Sequence, residues 1–232
     1  MFYDPLLMAM MIPGLILAGV ASLLVKTTFS RYSQVRCYSG MTGAQAAERM
    51  MRSNGVFDVA VEQTQGFLSD HYDPTKKVLR LSPDVYQSNS LAAIGVACHE
   101  AGHALQHAAQ YAPLLLRTAL VPVTNFGSNI AFWVFFAGLV MRIQPLVYAG
   151  CVLFALAFVF ALVTLPVEWD ASARAKAHMV MSGIVSPGQE RDAGRVLNAA
   201  FLTYLAAAVS SLMTLLYYLM RAGLIGGNRD RD

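Results

Sequence analysis

The chain has 232 residues, of which 56% are hydrophobic and 13% charged, with a net charge of +3. So few charges cannot cover the surface of a water-soluble protein, and a small positive excess without a polybasic run offers no footprint for nucleic acid. Cys37, Cys98 and Cys151 are far apart and form no CxxC pair, so they read as small buried hydrophobes rather than a disulfide framework or a cysteine zinc site.

Taken in chain order, residues 5–25 carry no charge and can cross a hydrocarbon core of ~30 Å at ~1.5 Å per residue. Asp4 stands where a signal peptide would be basic, and Lys26, Arg31 and Arg36 follow as a stop-transfer flank. This run is therefore expected to remain as an anchor. Thr42-Gly43-Ala44-Gln45 has the pattern of a capping box, opening a helix to about Arg52 that stops at Asn54-Gly55. Val56 to Glu62 and Phe67 to Tyr72 come next. Asp73-Pro74-Thr75-Lys76-Lys77 then makes a turn before Val78 to Leu81, and the flanks of the turn are expected to pair as short strands. Ser82-Pro83-Asp84 opens a short helical stretch, and a longer helix starts near Ser90. Charge-free runs return at 118–141, 145–167 and 196–220.

The expected fold is mainly α, a single integral-membrane domain over 1–232. It has four transmembrane helices and a small cytoplasmic α+β domain built from 26–117 and 168–195. Eight basic residues (Lys26, Arg31, Arg36, Arg117, Arg174, Lys176, Arg191 and Arg195) flank the helices on one side. Four (Arg142, Arg221, Arg229 and Arg231) flank them on the other. Basic residues favour the cytoplasmic face, which puts both soluble segments in the cytoplasm and both termini outside.

The chemistry lies in Cys98-His99-Glu100-Ala101-Gly102-His103-Ala104, an HExxH pattern. Histidines at i and i+4 share one helical face, so both imidazoles can reach one Zn²⁺. The glutamate beside the first histidine is placed to act as general base. The apolar approach Ala92 to Ala97 puts the motif on a buried helix, where such groups are costly unless paired or metal-bound. A helix with ordinary hydrogen bonds to these side chains is the bland alternative.

A catalytic zinc needs a third protein ligand and an open position. The metzincin third histidine would fall at Ala109, which excludes that class. His107 lies ~12 Å from His99 along a straight helix, too far to share the ion, and reads as a supporting or structural group. Glu168, at the end of the third apolar run, is the expected third ligand, because two crossings after His103 return the chain to the same side. Asp170 is the runner-up. An interfacial acid is the alternative for Glu168. Tyr204 could donate to a developing oxyanion, or it could be an interfacial aromatic anchor. His178 is ~15 Å beyond Glu168 on a straight helix, and His71 falls in the hairpin, so neither is expected at the metal.

Several stretches together resemble the YugP-like bacterial membrane zinc metallopeptidases. They are Asp70-His71-Tyr72-Asp73-Pro74, Val78-Leu79-Arg80-Leu81-Ser82, His99 to His107, Pro166-Val167-Glu168-Trp169-Asp170-Ala171-Ser172 and Leu202-Thr203-Tyr204. The likeness covers nearly the whole chain and implies a gluzincin-type protease, more distantly similar to HtpX and the CAAX prenyl proteases. Those proteins place aspartate four residues after the ligand glutamate, where this chain has Ser172.

The expected function is a zinc-dependent endopeptidase in the cell membrane, with His99, His103 and Glu168 as ligands and Glu100 as base. Its partners would be membrane-associated polypeptides and the lipid bilayer. A catalytically silent zinc-binding scaffold or adaptor is the alternative, against which the intact Glu100 speaks. A zinc transporter would need more polar ligands within the helices than Asn125, Ser128 and Asn129 supply. An extended substrate needs backbone partners. One strand of the pair between Phe67 and Leu81 is therefore expected to border the cleft with a free edge, guarded by Lys76, Lys77 and Arg80.

Overall fold

The computed structural model describes residues 4–66 and 69–226. The expectations placed on Phe67, Arg229 and Arg231 lie outside the described residues. Helix α1 covers Pro5–Tyr32 and α2 Gly43–Ser53; strands β1, β2 and β3 cover Ala60–Gln63, His71–Asp73 and Val78–Leu81. Helices α3 (Pro83–Tyr86), α4 (Leu91–Ala108), α5 (Ala112–Met141), α6 (Gln144–Met181) and α7 (Pro187–Arg221) follow. The chain divides into two compact units. The first is Met1–Val20, Leu116–Leu165 and Tyr204–Asp232; the second is Ala21–Leu115 and Pro166–Thr203.

The first unit is built from apolar helix. Helices α1, α6 and α7 are long and apolar enough to cross a membrane. Helix α5 makes a fourth if its halves, Ala112–Gly127 and Asn129–Met141, bent by 42°, count as one span. The bend falls beside Gly127, whose missing side chain leaves the backbone freer. Inside the unit the Phe135 ring stacks on Tyr218 at 4.0 Å, beside buried Val147 and Cys151. The Tyr217 hydroxyl donates to Asp4 at 2.9 Å. Outside, Leu15, Phe126 and Trp133 are each about 70% exposed. Lipid suits such a surface better than water does.

The second unit follows its local signals. The Thr42 side chain accepts from the Gln45 amide while Gln45 accepts from the Thr42 amide. Such a cap stabilises a helix start by ~1 kcal/mol. Gly55 takes a positive φ of 77° just after α2, the left-handed geometry that Asn54-Gly55 announces. Ser90 caps α4 by accepting from the Ala93 amide. Helix α4 is the hub of the core: Leu91, Ile94, Ala97, Cys98, Ala101 and Ala104 are buried against residues of α2, β3 and α6. All three cysteines are free and buried, as expected.

The sheet differs from the sequence reading. Strand β2 pairs antiparallel with β3 across the turn, as the turn residues dictate. Strand β1 pairs with β3 on its other side, and in parallel, giving the order β1-β3-β2. Strand β3 is therefore central. Leu79 and Leu81 point into the core, fully buried. Arg80, on the opposite face, lies 3.5 Å from both Glu62 on β1 and Asp73 on β2. Arg80 is thus an ion-pair rung across three strands and guards no edge, and Lys77 pairs with Asp58. The outer strands are β1 and β2.

Candidate metal centre

Helices α4 and α6 bring three side chains together in the second unit. His99 and His103 come from adjacent turns of α4, and Glu168 comes from α6. One ligand atom from each lies within 4.8 Å of the others. Nε2 of His99 is 3.1 Å from Oε2 of Glu168, and Nε2 of His103 is 3.6 Å from the same oxygen. Glu168 is 1% exposed and His103 6%. A carboxylate buried that deeply is costly without a cationic partner.

The close approach of the two helices has a simple cause. Gly102 lies between the histidines, and a Cβ there would come within 2.6 Å of the Ala171 carbonyl oxygen. Glycine is what lets the backbone of α4 meet that of α6 and carries Glu168 to the imidazoles.

The remaining ring nitrogens are already engaged. Both hydrogens of the Gln106 amide are used, donating to the Val167 carbonyl and to Asp170, each at 2.8 Å. The amide oxygen therefore faces His103 Nδ1, 2.9 Å away, and must accept its proton. That fixes the tautomer and leaves Nε2 with a lone pair turned toward Glu168. Nδ1 of His99 lies 3.1 Å from the Ser172 hydroxyl, which can accept in the same way. A neutral hydroxyl thus stands beside this ring where an aspartate was the alternative.

Burial favours the neutral form of His103, yet the Glu168 and Glu100 carboxylates raise its pKa above the ordinary value. The local potential is negative, as a cation requires. Two imidazole nitrogens and one carboxylate oxygen form the donor set of a catalytic zinc site. The residues present therefore fit zinc.

The other sequence candidates fall elsewhere. Asp170 bonds Gln106 and, at 2.6 Å, Arg174, and is not one of the three converging groups. His107 Nδ1 is 2.8 Å from the Tyr72 hydroxyl, tying α4 to β2. His71 is exposed, with Nδ1 2.8 Å from the Ser69 carbonyl. His178 sits near the end of α6, which runs unbroken to Met181. Glu100 is half-buried beside His99, and its carboxylate has no hydrogen bond among the described residues. Tyr204 is carried by α7 and belongs to the first unit.

The family described as "Putative neutral zinc metallopeptidase" matches residues 7–223. The chain belongs to this family. It is 47% identical over 196 residues to a protein of Bacillus subtilis (strain 168) named "Putative membrane protease YugP", covering 84% of this chain and 87% of that one. No solved structure matches it significantly. Zinc metallopeptidase chemistry in general thus follows from the family, in agreement with the donor set. The sequence reading missed Gln106. A glutamine seven residues after the first histidine looks like a surface residue, and only its place one turn beyond His103 hints at a role.

Proposed function

We propose that this zinc metallopeptidase is a membrane-embedded endopeptidase of gluzincin type, with His99, His103 and Glu168 as zinc ligands and its catalytic face in the cytoplasm. The observation that carries the reading is the convergence of two Nε2 atoms and one buried carboxylate, with both Nδ1 atoms engaged by other groups. When bound, zinc supplies Lewis acidity toward the scissile carbonyl and the attacking water.

The chain's own residues do the rest. Glu100 follows a ligand histidine directly, and no hydrogen bond ties up its carboxylate among the described residues. It takes the proton of the attacking water and passes it to the leaving amine nitrogen. Gln106 and Ser172 hold the imidazoles in orientation. Tyr204 stays the candidate donor to the developing oxyanion, with an interfacial anchoring role as its alternative. Polypeptide substrate lies extended along the outer edge of β2, which the Tyr72–His107 bond ties to the metal-bearing helix. This moves the substrate edge away from β3, which is paired on both sides.

The test is hydrolysis of a peptide library by the purified full-length protein, with and without a chelator. Glu100→Gln should keep zinc and lose ~10²-fold or more in turnover. Zinc-loaded protein without hydrolysis would favour the scaffold reading, and unchanged turnover in the variant would remove Glu100 as base.

A further inference from the structure

The second unit contains a cavity of about 750 Å³ between α1 and α7, lined by none of the metal-centre residues. Its lining is graded from one end to the other. Arg31 and Tyr32 of α1 and Arg195 of α7 form one end. Arg195 donates to the Tyr32 hydroxyl at 2.7 Å, which sets these residues level. Leu24 lies seven residues before Arg31, and Leu202 seven residues after Arg195, ~10 Å along each helix. The helices run in opposite directions along the cavity, so both leucines fall at its other end. They are 41% and 37% exposed. Thr28 and Asn198 line the space between.

The charges are unevenly satisfied. Arg195 is partly neutralised by Asp192, 3.0 Å away. Arg31 has no carboxylate partner among the described residues; its guanidinium carbon lies 5.6 Å from the centre of the Tyr32 ring. The side chains of Thr28 and Asn198 make no hydrogen bond among the described residues. A guanidinium, an amide and a hydroxyl thus face one space with no hydrogen bond to any of them among the described residues. Sequence gives the depth. Leu24 and Leu202 belong to the charge-free runs 5–25 and 196–220, whereas Arg195 directly precedes its run and Arg31 lies six residues beyond the end of its own. That is the level of a phospholipid headgroup.

We propose that this groove binds one anionic phospholipid. Its phosphate sits among Arg31, Asn198 and Arg195, and an acyl chain runs beside Leu24 and Leu202. A free phosphate would match the basic end alone and leave the aliphatic end to water. A zwitterionic lipid would bring its own cation to a site that already carries one in excess.

The test is native mass spectrometry of the full-length protein in detergent, titrated with phosphatidylglycerol, with phosphatidylcholine of the same chains, and with inorganic phosphate. Arg31→Gln, Leu202→Gln and Arg36→Gln are measured beside the parent. Arg36 is exposed near the end of α1 and does not line the cavity. Thermal melting checks that each variant folds. The parent should prefer phosphatidylglycerol by about fivefold or more, the effect of one basic residue at an anionic surface. Arg31→Gln should abolish that preference, Leu202→Gln should weaken binding, Arg36→Gln should change nothing, and excess phosphate should not displace the lipid. Equal retention of both lipids by the parent, or an unchanged preference in folded Arg31→Gln, overturns the proposal. Displacement by inorganic phosphate would reduce the site to one for simple anions and overturn it as well.

Discussion

At the residue scale, His99 and His103 are held by groups outside the three that converge. Gln106 is fully buried, and its amide spans His103, Val167 and Asp170. Gln106→Leu keeps the volume and removes every one of those bonds. The His103 ring then loses its acceptor, and Asp170 loses a donor while keeping Arg174. Zinc affinity should fall ~10–100-fold, the usual cost of a lost outer partner. Competition with a chromophoric chelator measures it, and unchanged affinity would show that packing alone orients His103. Such groups are hard to see in a sequence. The His99–His103 spacing is legible because i and i+4 are forced onto one helical face. Glu168 is legible because a carboxylate at the end of an apolar run demands a reason. Gln106 and Ser172 carry no such mark, since their roles arise only when α6 crosses α4.

At the element scale, that crossing is set by glycine. Gly102→Val would drive a side chain into the Ala171 carbonyl, which backbone cannot yield cheaply. Overpacking of this kind costs ~1–3 kcal/mol. Here the strain also separates His99 and His103 from Glu168. The expected outcome is a protein that still folds by circular dichroism, melts lower and binds zinc far more weakly. Zinc affinity equal to the parent would show that α4 and α6 can part without moving the ligands. Helix starts and stops were readable because caps are local: Thr42, Ser90 and Gly55 each act within a few residues. The hairpin turn was readable for the same reason. The parallel partner of β3 was not, because β1 reaches it past β2, and no local residue announces a non-local pairing.

At the scale of the whole molecule, composition announced the membrane, and three or four apolar helices answer it. The continuation of α6 to Met181 and the start of α7 at Pro187 were less visible, since polar helix has no hydropathy signal. The proposed orientation is checked at Thr75, which is exposed in the turn between β2 and β3. With the three native cysteines buried, Thr75→Cys should resist a membrane-impermeant thiol reagent in intact cells and react after permeabilisation. Ready labelling in intact cells would put the metal centre on the outer side. In the proposed centre, Glu168 completes a zinc site with His99 and His103. Zinc stoichiometry and affinity of the purified parent, Glu168→Ala and Asp170→Ala, measured together, test it most directly. The parent should hold one zinc per chain tightly, Glu168→Ala should lose nearly all of it and Asp170→Ala should retain it. Parent-like zinc binding by Glu168→Ala would contradict it.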